Sequence, residues 1–322
     1  MEIIKNHIHY FEKEIAQLGF PDTPKNLYDP IGYFLELDAK RIRPVLTLLS
    51  AESFGSTKEE ALHASIAIEL FHNFTLLHDD IMDNSMLRRG EKTVHHVWNT
   101  NIAILSGDVL MVYAYSYLAK NKSKHLPDLL NLFNKTAVQL CEGQQLDMDF
   151  ESEEIISVDE YLNMIKLKTS VLLGCALQFG AIIANSSIEK QSLIYDFGIN
   201  LGLAFQIQDD ILDLYGDSDK IGKKIGGDIL NNKKTILSVV ANKIANKHQK
   251  NELLELSKIS DSNLKISKTT EFYNQLRVLD HCKKISKKYS DNATACLNKS
   301  LSEQKSSNIL HQLATDLLNR KH

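Results

Sequence analysis

The sequence predicts an all-α protein: one domain over residues 1–322, built as a bundle of long helices around a central apolar cavity. Three observations lead there. The five prolines, Pro21, Pro24, Pro30, Pro44 and Pro127, all lie early, and none follows Pro127. Apolar residues recur at spacings of three and four, the period of a helix with one buried face. No segment shows the sustained β-branched alternation of a sheet. With 43% hydrophobic residues, the chain can bury a substantial core.

The first helix is expected over Glu2 to Leu18, an amphipathic, charged stretch without the apolar run of a signal peptide. A proline-bearing link follows from Gly19 to Pro30. A second helix includes Ile31 to Leu37 and meets the basic turn Lys40-Arg41-Ile42-Arg43-Pro44. Ser56-Thr57-Lys58-Glu59-Glu60 has the Ser/Thr and Glu of a capping box, so a helix should start there and run to about Asp83. Gly90 reads as a helix-stop residue. Further helices are expected over Ile102 to Ala119, Leu126 to Phe150 and Val158 to Ala184. The most hydrophobic window, Val171 to Ala184, is short of the roughly 20 residues that span a bilayer and reads as a buried helix, so no transmembrane segment is expected. From Val239 to His322 the basic runs Lys283-Lys284 and Lys287-Lys288 read as solvated helix faces.

A net charge of −4 gives no sign of a nucleic-acid partner. Four cysteines, Cys141, Cys175, Cys282 and Cys296, lie far apart without a Cys-x-x-Cys, as in a cytoplasmic protein with reduced thiols.

The chemistry concentrates in two acidic motifs. Asp79, Asp80 and Asp83 end the apolar run that includes Phe71, His72 and Phe74; Asp209, Asp210 and Asp213 repeat the spacing after Gln206. Residues four apart share one helix face, so Asp79 with Asp83, and Asp209 with Asp213, form anionic pairs. The first pair sits at a helix C-terminus, where the macrodipole favours cations, so helix stability does not place it there. Hard oxygen donors in this arrangement suit Mg²⁺ completed by water and substrate phosphates. An EF-hand is excluded because its alternating ligands, central glycine and closing glutamate are missing. Arg88 and Arg89 follow the first motif; guanidinium binds phosphate in bidentate fashion. After the second comes a Gly/Lys loop, Gly216 to Asp228, that departs from a P-loop in its glycine spacing and in Lys224 where Ser or Thr should stand. Lys233 and Lys234 add further cations. Lys168 precedes the most apolar part of its helix, where an unpaired charge is costly. With no nucleophile–base pair in view, the constellation suits a substrate with a diphosphate head and a hydrocarbon tail, ionised by leaving-group stabilisation in a dry pocket.

On these motifs the sequence resembles the trans-isoprenyl diphosphate synthases, from Lys40 to about Thr235, and within them the short-chain geranylgeranyl and farnesyl diphosphate synthases. The resemblance implies the isoprenoid synthase fold, three Mg²⁺ ions held by Asp79, Asp83, Asp209 and Asp213, and a homodimer. It implies that Lys40, Arg43, His72 and Arg89 bind isopentenyl diphosphate, that Arg88, Lys168, Lys223 and Lys233 contact the allylic diphosphate, and that Gln144 and Asp147 belong to the pocket wall. Thr169 and Gln206 would lie beside the developing cation; Asp80 joins the catalytic carboxylates. The implied reaction is head-to-tail condensation: the allylic diphosphate ionises, the double bond of isopentenyl diphosphate attacks its C1, and a proton is lost. The family usually has two glycines where this chain has Asp38-Ala39, which bears on the placement of Lys40 and Arg43. One helical turn, about 5.4 Å, approximates one extended isoprene unit, so residues preceding Asp79 act as a ruler. Phe74 five before the motif and Thr75 four before it resemble the pattern for a C20 product, with C15 next; Phe71 adds bulk against longer chains. The competing readings are a class I terpene cyclase, which needs no second diphosphate pocket, and a non-catalytic helical partner of a synthase, in which both acidic motifs should have decayed.

Overall fold

The computed structural model describes residues 2–122, 124–216, 226–301 and 305–318, with the side chains of 305–308 excepted. It divides into two compact units. The first comprises residues 1–133, 176–191 and 303–310; the second comprises 134–175, 192–302 and 311–322.

The first unit holds α1 (Glu2–Ile15), α2 (Lys25–Glu36), α3 (Ile42–Ser53), α4 (Lys58–Met82), a two-stranded hairpin of β1 (Leu87–Arg88) and β2 (Glu91–Lys92), α5 (Val94–Val97) and α6 (Thr100–Leu118). The helix α4 packs chiefly on α6 and α3. It starts where the capping signal predicts: the Thr57 side chain accepts the Glu60 N–H. It ends near Asp83 as expected, with Met82 its last residue, but the closing residue differs from the sequence reading. Asn84 takes the left-handed conformation at φ 47°, its N–H reaches the Ile81 carbonyl, and the Ser85 N–H reaches that of Asp80. This is a Schellman closure with asparagine in place of glycine. Gly90 is not a helix stop. With Arg89 it forms the two-residue hairpin turn, and both have positive φ, at 56° and 87°, as a type I′ turn requires. A second difference is α2, which begins before Pro30 rather than after it. Pro30 sits inside the helix and removes one backbone hydrogen bond, a cost of roughly 3 kcal/mol. Burial of Pro30, Ile31 and Phe34 on one face offsets it.

The second unit takes most of α7 (Leu126–Ser152), then α8 (Val158–Ile165), which a Ser157–Glu160 capping box starts. A π-helical turn, Lys166–Ser170, joins α8 to α9 (Val171–Ile183), whose last residues belong to the first unit. The unit continues with α10 (Ile188–Tyr215), α11 (Gly227–Leu230), α12 (Ile236–Ile244), α13 (Lys247–Ser257), α14 (Ser262–Gln275), α15 (Val278–Ser300) and part of α16 (Lys305–Leu318). Its core gathers Tyr161, Ile207, Ile211, Ile236, Val278 and Cys282. The continuous helical run Val158–Ile183 is long and apolar enough to cross a membrane, but 72% of its apolar window is buried inside the protein, as in a core helix. None of the four cysteines forms a disulfide.

Candidate functional site

In the first unit a buried ion pair sets the basic turn. Arg41, at the N-terminus of α3, adopts the left-handed conformation at φ 47°. Its guanidinium donates to Glu69 Oε1 on α4 at 2.6 Å and to the Leu35 carbonyl at 2.6 Å. Asn73, one turn along α4, donates to the Glu69 carbonyl and to Oε1. Removing one partner of such a buried pair costs about 3 to 5 kcal/mol. The pair therefore holds an unfavourable backbone at Arg41, and Asp38 and Ala39 need no glycine-like φ.

Two residues further, Arg43 donates to Nε2 of His72 at 3.0 Å. Burial pushes the Arg43 guanidinium down to about 10 despite Glu69 nearby. Burial, reinforced by Arg43 and Arg89, drives His72 well below its usual range, so its ring is neutral and accepts through Nε2. Arg89 donates to the Leu37 carbonyl at 3.4 Å and lies over the Phe34 ring. Burial lowers its pKa too. Among the described residues neither Arg43 nor Arg89 forms an ion pair, so this corner carries half-buried positive charge that an anion would stabilise. Lys40 is exposed in the preceding link.

The two acidic motifs share one design. Their middle carboxylates are sequestered: Asp80 is 1% exposed and Asp210 7%. Asp80 Oδ1 accepts from Arg88 Nε at 2.9 Å and from Nη2 at 2.5 Å. Asp210 accepts from the Tyr161 hydroxyl at 2.5 Å, the Ile236 N–H at 2.9 Å and Gln206 Nε2 at 3.1 Å. The first and fifth positions behave differently. Asp83 and Asp209 are exposed, and Asp79 and Asp213 half-buried, so each motif keeps an open carboxylate edge. This changes the place of Asp80, which is engaged in holding Arg88.

The π-helical turn in the second unit presents Lys168 and Thr169. Lys168 Nζ donates to Asp147 Oδ2 at 2.5 Å, and Thr169 donates to Gln206 Oε1 at 3.4 Å. Close approach on both sides depends on glycine: a Cβ on Gly143 would lie 2.3 Å from the Lys168 nitrogen, and one on Gly202 would lie 2.6 Å from Ser170 Oγ. Gln144 is buried with both side-chain amide atoms unpartnered among the described residues. Asp228 donates its N–H to Asp213 Oδ2 at 3.1 Å. Burial, then the neighbouring Asp213 carboxylate, pushes Asp228 up to about 6. Lys233 is exposed, with its N–H on the Asp228 carbonyl. Lys223 lies outside the described residues. A cavity of about 280 Å³ in this unit is bordered by Asp228, Lys233, Thr235 and Lys265.

The ruler residues lie in the first unit. Phe71 is fully buried, edge-to-face with Phe133 at 4.9 Å, and 5.7 Å from Phe74. Phe74 is half-buried, with its ring against His78 at 4.7 Å. Thr75 is spent on a hydrogen bond to the His72 carbonyl.

Sequence reasoning missed Arg41, Glu69, Asn73, Asp228 and the role of Tyr161. Glu69 carried a usable signal, an acid in the middle of the apolar run Ala64 to Phe74. Tyr161 carried none.

The polyprenyl synthetase family profile matches residues 24–276. A geranylgeranyl pyrophosphate synthase of Geoglobus acetivorans is 35% identical over 100% of this chain and 99% of that protein. A short chain isoprenyl diphosphate synthase of Methanocaldococcus jannaschii is 40% identical over 78% of this chain and 76% of that protein. A crystal structure of a geranylgeranyl pyrophosphate synthase superposes with a TM-score of 0.94 at 43% identity, covering 99% of each chain. Two further proteins bear on ligands and products. A polyprenyl synthase of Caulobacter crescentus, 26% identical with a TM-score of 0.84 over 100% of this chain and 96% of that one, was solved with calcium and isoprenyl diphosphate. A geranylfarnesyl diphosphate synthase of Natronomonas pharaonis is 37% identical over 68% of this chain and 69% of that protein. The chain belongs to the polyprenyl synthetase family. Within it, the protein is a prenyl diphosphate synthase of the short-chain type.

Proposed function

We propose that this synthase condenses isopentenyl diphosphate head-to-tail with an allylic diphosphate, giving C20 as the main product and C15 as the next. The observation that carries the reading is the corner at Arg43, His72 and Arg89, where half-buried guanidinium groups without ion-pair partners among the described residues flank a neutral imidazole. An anion bound there satisfies the charge, and a second diphosphate pocket is what a cyclase lacks. His72 accepts from Arg43 through Nε2 and keeps Nδ1–H as a donor; with Lys40 and Arg89 it would fix isopentenyl diphosphate.

Among the described residues no three carboxylate, imidazole or thiol groups converge in advance on one point. The donor set nonetheless fits Mg²⁺, which takes one or two protein carboxylates and fills its octahedron with water and phosphate oxygens. Asp79 with Asp83, and Asp209 with Asp213, would hold three such ions. Crowding of Asp213 against Asp228 is what a bound cation relieves. When bound, the metal neutralises charge on the departing diphosphate. Arg88, Lys168, Lys223 and Lys233 bind the allylic diphosphate and stabilise it as the C1–O bond breaks. The Thr169 and Gln206 oxygens face the allylic cation, the isopentenyl double bond attacks C1, and a proton passes to the released diphosphate. The tail runs along α4 toward its N-terminus and stops at Phe74, with Phe71 behind it; Gln144 and Asp147 keep the pocket-wall role that the resemblance implies.

The family match spans both units, and they act as one synthase domain, cytoplasmic. An exposed apolar stripe on α6, including Leu105 at 57% and Val112 at 63%, supports a homodimer. Mg²⁺-dependent diphosphate release tests the reading. A synthase needs both substrates, a cyclase needs only the allylic one, and a non-catalytic partner releases none.

A further inference from the structure

Beside the first acidic motif, polar atoms of Asp80 and His95 are left without partners, and His95 has no role given above. Arg88 spends Nε–H and one Nη2 proton on Oδ1 of Asp80. The other carboxylate oxygen, Oδ2, is buried and has no hydrogen-bond partner. Both ring nitrogens of His95 are likewise buried and unpartnered. An orphaned acceptor on Asp80 and an orphaned imidazole N–H on His95 are complementary, and leaving both unmet is costly. The two groups also feel each other electrostatically: His95 offsets part of the upward push that burial gives Asp80, and Asp80 offsets part of the downward push on His95.

The backbone shows why His95 is held there. Thr93, fully buried, donates through its hydroxyl to the Ser85 carbonyl and through its N–H to the Met86 carbonyl. It thereby ties the start of α5 to the end of α4, while Val94 is buried beside it. Ser85 in turn donates its N–H to the Asp80 carbonyl. The short helix carrying His95 is thus fixed to the same turn that carries Asp80.

We propose that His95 is a positioning residue for Arg88, acting through Asp80: its ring N–H holds Asp80 Oδ2 through one buried water, so that Oδ1 stays aimed at the Arg88 guanidinium. With Nε and one Nη2 proton committed to Asp80, Arg88 presents its outer Nη1/Nη2 edge, the fork that grips a phosphate with two parallel bonds. A carboxylate free to rotate would let that fork swing away. The inference rests on the reading that Arg88 contacts the allylic diphosphate.

The test is a set of purified variants assayed for KM with each substrate. His95→Leu keeps bulk and removes both nitrogens; His95→Asn and His95→Gln each return one N–H, near the Nδ1 and Nε2 positions. His95→Leu should raise KM for the allylic diphosphate about tenfold, the scale of one lost well-placed hydrogen bond, with little change for isopentenyl diphosphate. One of the two amide variants should restore the wild-type value. Arg88→Ala should raise the same KM, and adding His95→Leu to it should raise it no further. If Arg88→Ala leaves the allylic KM unchanged, the reading of Arg88 itself fails. If Arg88→Ala raises it but the histidine variants do not, or raise both KM values equally, the positioning role is overturned. Should His95→Leu not fold, the asparagine and glutamine variants decide: different allylic KM values support the role, and equal values overturn it.

Discussion

Gly143→Ala tests how the π-helical turn is placed. A methyl group there would lie 2.3 Å from the Lys168 nitrogen, 2.6 Å from the Leu167 carbonyl carbon and 2.8 Å from Leu167 Cβ. The nearest two are backbone atoms, so no side-chain rotation relieves the clash. Ordinary contact begins at 3.4 Å, so the turn and α7 must separate by about 1 Å. Overpacking of this kind costs about 1 to 3 kcal/mol. In a chain of 322 residues, that lowers the melting temperature by roughly 1 to 2 °C per kcal/mol. The functional effect should be larger. Lys168 and Thr169 ride on the displaced turn, and their bonds to Asp147 at 2.5 Å and Gln206 at 3.4 Å stretch with it. Misplacement by about 1 Å costs on the order of 10²-fold in rate. Steady-state kinetics with both substrates, beside thermal melts, should show a fall in kcat of that order in a protein that stays folded. Wild-type kcat in a destabilised variant would refute the link between turn and chemistry. Unchanged stability would refute the packing itself.

Asp79→Ala, Asp83→Ala and Asp209→Ala should each cut turnover by several orders of magnitude with the helical circular dichroism intact, as expected when a main contributor to leaving-group stabilisation is lost; near wild-type rates in two of them would rule out the metal role. Arg89→Ala should weaken isopentenyl diphosphate by about 1.5 to 3 kcal/mol, more than the allylic substrate; equal KM changes for both would show the assignment to be wrong. Phe74→Ala should lengthen the product by at least one isoprene unit, seen by chromatography. Phe71→Ala in addition should extend it further while losing about 3 to 5 kcal/mol of stability, because Phe71 is buried against Phe133; an unchanged product in both would place the floor on another helix. His7 offers a pH dependence: burial pulls its imidazole down, but Glu52 and the Ile3 carbonyl push it up by more, to a net value above the usual 6.5. The folded state then holds the proton more tightly, so this contribution is complete below about 6.5 and fades as pH rises through the raised value. Melts between about pH 6 and 8.5 should show that loss in the wild type, and His7→Gln should flatten it; an identical slope in the variant would exclude His7 as its source.

The long helices were legible because their starts carry side-chain caps and their apolar periods are unbroken. Thr57 marks a helix start in the sequence and caps in the structure, and Ser157 caps the helix expected from Val158. The end of α4 near Asp83 was legible but the residue that closes it was not, because asparagine and glycine both tolerate positive φ and only the backbone shows that Asn84 closes the helix while Gly90 turns a hairpin. Pro30 misled because a proline in mid-helix is affordable only where burial offsets it, which is a tertiary fact. The π-helical turn has no period of its own; Gly143 and Gly202 are what allow it, from helices distant in sequence. In the acidic motifs the spacing identified the carboxylates but not their division of labour. Asp80 and Asp210 are withdrawn by partners as remote as Tyr161 and Ile236, while the first and fifth positions are exposed or half-buried.

The most direct measurement of the account is product chromatography of the purified protein with labelled isopentenyl diphosphate and an allylic diphosphate primer, with Mg²⁺ and with the metal chelated. The account predicts a labelled all-trans prenyl diphosphate of C20, with some C15, formed only when both substrates and the metal are present. Diphosphate released from the allylic substrate alone, labelled product formed after chelation, or a main product of C30 or longer would contradict it.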